Sequence, residues 1–100
     1  MSVLVIATMK ADPADFERVH AERAADFRSV MQDALHAGVI HHRFAAGNDG
    51  TIIIVDEWPD AESFQKFFDH QVIASLMQDA GVQGPPEIAI YEVIDTVDQC

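Results

Sequence analysis

The chain is poor in cysteine and in basic residues, and each shortage excludes a class of protein. Its 100 residues include one cysteine, Cys100, so no disulfide can form within the chain, as is typical of the reducing cytoplasm. Six Lys and Arg stand against 17 Asp and Glu, for a net charge of −11. We therefore expect neither nucleic acid nor a membrane as a partner, because clustered Lys and Arg bind nucleic acids and anionic lipids.

The chain also lacks a long apolar run and the common catalytic motifs. The apolar start, residues 1–9, ends at Lys10 and is too short to span a membrane. No GxGxxG or GxxxxGK(S/T) phosphate loop, GxSxG elbow or CxxC pair occurs. No two histidines have HxH or HxxxH spacing. We expect no cofactor, since a haem or metal site would need ligands that only the fold brings together.

Apolar residues, in contrast, are abundant and follow the periods of strands and helices. Two strands, residues 3–9 and 51–58, are apolar on both parities and are expected to be buried on both faces. Two further strands are predicted over residues 39–44 and 87–94, the last after a Gly-Pro-Pro loop at 84–86.

Two helical regions separate these strands. Asp12 and Pro13 form a helix-start signal, and this helix is expected to run to about His36, before Gly38. The second region begins at Asp60. Its apolar stripe does not continue beyond the phenylalanines at 64, 67 and 68, which predicts a break near His70 and a short separate helix.

The resulting order, βαββαβ, predicts one α+β domain of ferredoxin-like type over residues 1–100. Four antiparallel strands form the sheet, and both helical regions cover one face of it. The other face is also apolar and would stay bare in a monomer. We therefore predict a homodimer in which the two bare sheet faces pack together as a dimeric α/β barrel.

His20 and Arg23 are the most unusual residues of the first helix. At 100° per residue they fall among the apolar positions marked by Phe16 and Phe27, where a buried cation needs a partner or a wet cavity. One interpretation is a pocket in which Arg23 binds an anion and His20 moves a proton. The other is that Arg23 reaches out along the helix edge and His20 bonds a backbone carbonyl.

Strands two and three supply further candidates. His42 has the parity of the apolar residues of its strand, so we favour it over His41 for the helix-covered face. Trp58, which ends strand three, is either a planar pocket wall or ordinary packing. Asp56 shares the parity of Trp58 and either orients a histidine or meets solvent.

The segment VDEWPDAESF at residues 55–64, within the βαββαβ order, resembles the antibiotic biosynthesis monooxygenase-like family. The segments HHRF at 41–44 and GPPE at 84–87 resemble small actinobacterial members of unassigned function. The resemblance implies a dimeric α/β barrel with its pocket between helices and sheet. The superfamily includes cofactor-free monooxygenases, haem-degrading enzymes, cyclases and isomerases. Haem degradation is disfavoured, because the strand-one asparagine of those members has no counterpart at Ala7 or Thr8.

We therefore predict a small-molecule enzyme that performs acid/base or cofactor-free oxygenation chemistry on a small aromatic or polyketide-like carbonyl compound. His20 and His42 are the predicted catalytic acid and base. The predicted substrate-binding residues are Arg23, Phe27, Trp58 and Phe68. The alternatives are a cyclase or isomerase with the same pocket, and a non-catalytic small-molecule-binding or stress-response dimer.

Overall fold

The computed structural model describes residues 1–100 as one four-stranded antiparallel sheet with helices on one face. In chain order the elements are β1 Val3–Lys10, α1 Pro13–Glu22, α2 Ala24–Ala37, β2 His41–Ala46, β3 Thr51–Trp58, α3 Ala61–Phe68, α4 Gln71–Asp79 and β4 Gln83–Glu92. The strand order is β2-β3-β1-β4, with β1 and β3 in the centre. This confirms the predicted α+β ferredoxin-like fold.

The register of the sheet divides its residues cleanly between the two faces. Val5 of β1 lies opposite Asp56 of β3 and Ile90 of β4, and these side chains share the helix-covered face. Ile6 lies opposite Val55 and Ala89 on the open face. Both parities of β1 and β3 are thus apolar over most of their length, as the sequence predicts.

The predicted helix over residues 13–36 is two helices that meet at Arg23. The backbone of Arg23 leaves the helical region, with φ −117° and ψ 33°, although its N–H still donates to the carbonyl of Val19. The single-helix prediction is wrong because the apolar periodicity continues across this break. The start and end are as predicted, with the Asp12 carboxylate accepting from Ala14 N–H and Gly38 in the left-handed conformation at φ 106°.

The break in the second helical region is confirmed, since α3 ends at Phe68 and α4 begins at Gln71. The last strand is longer than predicted. Residues 84–86, expected to form a loop, belong to β4. Prolines are tolerated in β4 because it is an edge strand, and the side of an edge strand that faces away from the sheet needs no N–H donors. Strand β2 begins at His41, two residues later than predicted.

The core lies between the helices and the covered face of the sheet. It consists of two groups of buried residues: Val3, Val5, Ala34, Val39, Trp58 and Phe64 in one, and Met9, Ala11 and Ile52 in the other. Asp56 is the only polar residue in the buried class, with 5% of its surface exposed. A buried carboxylate needs partners, which directs attention to its surroundings.

Candidate active site

A cavity of about 90 Å³ separates the helices from the covered face of the sheet. Of the 23 residues that line it, 21 are hydrophobic. The two others are His42 and Asp56. An apolar cavity with one localised polar pair is the usual composition of a small-molecule site.

The fold brings His42 and Asp56 together through strand register. The two residues lie directly opposite each other on β2 and β3, and both have the parity that faces the helices. Nδ1 of His42 lies 2.7 Å from Oδ1 of Asp56. Since an ionised carboxylate only accepts hydrogen bonds, Nδ1 is the donor, and the neutral imidazole then carries its proton there.

The other oxygen of Asp56 is bound by Trp58, two residues further along the same face of β3. The indole Nε1–H of Trp58 donates to Oδ2 over 3.1 Å. Trp58 has no exposed surface and packs against Phe64 and Phe67, with ring centroids 6.0 and 5.3 Å away. Each oxygen of the buried carboxylate therefore has its own donor, and the indole is held by the core.

Nε2 of His42 is the free atom of this arrangement. It makes no hydrogen bond within the chain, and no buried side-chain nitrogen or oxygen lacks a partner, so Nε2 is accessible. With Nδ1 protonated, Nε2 presents a lone pair. A histidine oriented by a carboxylate can take a proton from a bound molecule and return it, because imidazole exchanges protons near neutral pH.

Three phenylalanines build the cavity wall beside this histidine. Phe44 packs edge-on against His42, with centroids 4.9 Å apart and an interplanar angle of 86°. Phe16 and Phe27 pack on Phe44 at 4.8 and 6.1 Å. Phe27 and Phe68, both predicted to contact substrate, line the cavity. Their binding role stays a prediction.

His20 lies outside this wall. Its ring packs against Phe27 at 4.7 Å, but the residue is exposed and is not part of the cavity lining. The expectation that His20 points into the space between helices and sheet is not met, because Phe16 and Phe27 pack against each other and fill that direction. Its catalytic role remains a prediction without support from the cavity geometry.

Arg23 also points away from the cavity. Its guanidinium binds Asp26 at 3.0 Å, and it reaches α4, where it binds Ser75 at 3.1 Å and Asp79 at 2.7 Å. The hydrogen bonds that Arg23 donates to Asp26 and Asp79 raise the pKa of Arg23 above its usual value. Its charge is thus already matched by two carboxylates, as in the second interpretation of this residue. The cavity geometry gives its substrate-binding role no support.

Trp58 is fully buried and is not among the residues that line the cavity, so its role as a pocket wall stays a prediction without support from the cavity geometry. His41 is exposed on the opposite face of β2, and His70 caps α4 by accepting from Val72 N–H. Asp56 is the residue whose role the sequence left open. The shared parity of residues 56 and 58 and the register of β2 with β3 are the signals that identify it.

No group of three or more His, Cys, Asp or Glu side chains is placed to share a metal ion. No helix is both long enough and apolar enough to cross a membrane. Comparison of the sequence with family profiles and with curated proteins gives no match.

Solved structures, in contrast, match over nearly the whole chain. SnoaB, a cofactor-independent oxygenase from Streptomyces nogalater, superposes with a TM-score of 0.64 at 17% identity over 98% of both chains. An antibiotic biosynthesis monooxygenase gives 0.64 at 12% identity, over 93% of this chain and 99% of that one. Rv0793 from Mycobacterium tuberculosis gives 0.62 at 12% identity, over 98% and 100%.

The chain has the antibiotic biosynthesis monooxygenase-like fold. The resemblance inferred from residues 55–64 is therefore confirmed at the level of structure. With identities below 20%, the superpositions establish this monooxygenase-like fold, and the chemistry has to be argued from the side chains.

Proposed function

We propose that this chain is a homodimeric, cofactor-independent enzyme that removes a proton from a small aromatic or polyketide-like carbonyl compound. The observation that carries the proposal is the pair of His42 and Asp56, the only polar side chains in an otherwise apolar cavity. His42 is the general base, and Asp56 orients it. The likeness of the fold to a cofactor-independent oxygenase supports the same direction.

In the proposed reaction, Nε2 of His42 takes the proton of a phenol or enol. The resulting anion is electron-rich and reacts with molecular oxygen. One oxygen atom becomes a carbonyl oxygen at a methylene carbon of the substrate, and the other leaves as water with that carbon's two hydrogens. The substrate supplies all four electrons, so no metal or flavin is needed. The imidazolium paired with Asp56 stabilises the anion until the proton is returned.

The size of the cavity limits the ligand. An engineered cavity of about 150 Å³ holds one benzene ring, whereas this one measures about 90 Å³. An aromatic ligand can therefore bind only if the side chains that line the cavity move apart. Three of the lining residues are methionines, whose unbranched side chains rearrange readily: Met9, Met31 and Met77.

Dimerisation through the open sheet face belongs to the same proposal. The chain exposes 6665 Å² of surface, whereas a monomeric protein of 11.0 kDa exposes about 5,600 Å². The difference, about 1,000 Å², is close to the ~800 Å² that each partner buries in a standard interface. Half-buried Leu4, Ile6 and Val55 occupy the middle of that face. We place this dimer in the cytoplasm, given its single cysteine.

A second candidate is a non-catalytic binder of small apolar molecules. The pairing of Arg23 with Asp26 and Asp79 favours it, since this arginine is then not free to bind a substrate anion. A cyclase or isomerase would use the same base without oxygen.

Oxygen uptake and deuterium exchange distinguish these functions. A hydroxyanthrone, which carries both the phenol and the methylene carbon that the proposed reaction needs, is incubated with the protein in an oxygen electrode, against its uncatalysed oxidation. We expect His42→Phe to abolish catalysed uptake and His41→Phe, on the opposite face, to retain it. Solvent deuterium entering the substrate without oxygen uptake identifies the isomerase or cyclase, and binding without either identifies the binder. Full activity in the His42 variant contradicts the proposal.

A further inference from the structure

Trp58 is buried in the core, outside the cavity, yet it donates the second hydrogen bond of Asp56. We propose that Trp58 is a positioning residue: its indole N–H fixes the orientation of the side chain at position 56, so that an accepting oxygen faces His42 and the imidazole keeps its proton on Nδ1. For its catalytic meaning, this inference rests on the proposed function.

The argument begins with the chemistry of the three groups. An indole N–H can only donate, and an ionised carboxylate can only accept. Trp58 occupies Oδ2, so Oδ1 is the oxygen left for His42, and Nδ1 must supply the proton of that bond. Nε2 is then unprotonated and available as a base. Both hydrogen bonds therefore run toward the carboxylate, one donated by the indole and the other by the imidazole.

The core makes the indole a fixed reference. Phe64 and Phe67 pack against Trp58, and it has no exposed surface, so it cannot turn its N–H elsewhere. His42, in contrast, lies on an edge strand and has 27% of its side chain exposed. The rigid end of the chain of bonds is therefore Trp58, and the adaptable end is the imidazole.

The substitution Asp56→Asn exposes this control. An amide has one accepting and one donating end. Because Trp58 can only donate, the amide oxygen must face the indole, and the NH₂ must face Nδ1 of His42. Nδ1 becomes an acceptor, so the proton moves to Nε2 and the base is lost. We expect the fold to be retained, because the isosteric side chain can remake both hydrogen bonds.

Removing only the indole N–H releases the constraint. The chain contains one tryptophan, so biosynthetic replacement by β-(3-benzothienyl)alanine changes position 58 alone. The analogue keeps the shape of the ring and puts sulfur in place of N–H. In the Asp56→Asn protein that carries it, the amide is free to turn its oxygen toward His42, and the native tautomer becomes favourable again.

Nitrogen-15 NMR of the imidazole rings, at about pH 8.5 where histidine is ordinarily neutral, reads the tautomer directly. We expect Nδ1–H in the native chain, Nε2–H in Asp56→Asn, and recovery of Nδ1–H in Asp56→Asn with the analogue. His41, which makes no side-chain hydrogen bond, serves as the internal reference and should not change among the samples.

Three results would overturn the inference: Nε2–H in the native chain, Nδ1–H retained in Asp56→Asn, or no recovery with the analogue. The first needs no variant, so the test holds even where a substitution impairs folding. No substrate enters the measurement. The two tests are therefore independent. Absence of oxygenase activity would not change the tautomer result, and an unexpected tautomer would not decide whether the protein is an oxygenase.

Discussion

At the scale of single residues, the site depends on one buried carboxylate. Asp56 accepts hydrogen bonds from two donors: the indole of Trp58, on the same strand, and the imidazole of His42, on the neighbouring strand. Removing a shared acceptor leaves both donors without partners, which costs more than either hydrogen bond contributes. The stability and the chemistry of this region should therefore respond to the same substitution.

We expect Asp56→Ala to lower the free energy of unfolding by about 2–3 kcal/mol, because two buried donors lose their acceptor. Asp56→Asn, which keeps an acceptor for Trp58, should cost less than about 1 kcal/mol. Urea unfolding at neutral pH, followed by the fluorescence of the single tryptophan, measures both. Equal stability of the two variants would show that the hydrogen bonds in the structure do not stabilise the fold.

The residues of the site were predictable only in part. Strand parity predicted that His42 faces the helices, because alternation is a strict period of two. His20 and Arg23 were assigned to the cavity from a helical period drawn across residue 23, where the helix in fact breaks. The spacing of Arg23 and Asp26 is that of a local helical ion pair, but no sequence signal reveals that Asp79 also binds Arg23, since it is 56 residues away.

At the scale of elements, α4 is a short helix tied to its neighbours by polar groups at both ends. His70, its N-cap, binds Asp33 of α2 at 3.2 Å, and Asp79 near its C-terminus binds Arg23 at 2.7 Å. Between these ties α4 contributes Ile73, Leu76 and Met77 to the cavity lining. The ties hold one wall of the cavity in place.

We expect Arg23→Met to loosen α4 selectively. Amide hydrogen exchange within Gln71–Asp79 should become about two- to tenfold faster, on the order of the effect of one or two partly exposed ion pairs. Exchange in β1 and β3 should not change. Arg18→Met is the matched control, since it removes the same charge from an exposed pair with Glu22 that does not involve α4. Equal acceleration in both variants would contradict a specific tie.

The start of α3 should confer a dependence on acid. The backbone N–H of Ser63 donates to Asp60, which lowers the pKa of this carboxyl below its usual range. A lowered folded-state pKa means that the stabilisation is present above the usual aspartate pKa and is lost as the pH falls through the lowered value. Asn caps helices about as well without ionising, so Asp60→Asn should remove this part of the acid sensitivity.

Urea unfolding midpoints from pH 6 to about pH 2.5 measure the effect at Asp60. The native chain should lose stability faster than Asp60→Asn over the acid end of this range. Parallel curves for the two proteins would mean that the cap does not depend on charge. Helix boundaries were predictable from sequence, because helix caps and breaks in an apolar stripe are local signals. The start of β4 was not, because it depends on the position of this strand at the edge of the sheet.

At the scale of the whole molecule, one sheet separates two surfaces with different tasks. The covered face of the sheet contributes the cavity, and the open face carries the proposed contact between subunits. Sequence alone predicted both faces, because β1 and β3 are apolar on both parities. Dimerisation itself stays a prediction that a single measurement can test.

We expect Ile6→Lys to dissociate the dimer, since it places a charge in the centre of the open face opposite Val55 and Ala89. Sedimentation velocity should show about twice the chain mass for the native protein and the chain mass for the variant. Ile94→Lys, which makes the same change at an exposed residue after β4, should remain dimeric. A monomeric native protein at micromolar concentration would refute the sheet-to-sheet dimer.

The alternation of β3 has a thermodynamic consequence. Asp56 faces the cavity, whereas its neighbours Val55 and Glu57 face the other side, so one strand is a common boundary of both surfaces. A molecule that shifts β3 when it enters the cavity would also shift the part of the proposed subunit contact that β3 forms. By linkage, each bound ligand changes the dimer dissociation constant by the factor by which dimerisation changes the affinity for that ligand, so filling both cavities of the dimer changes it by the square of that factor.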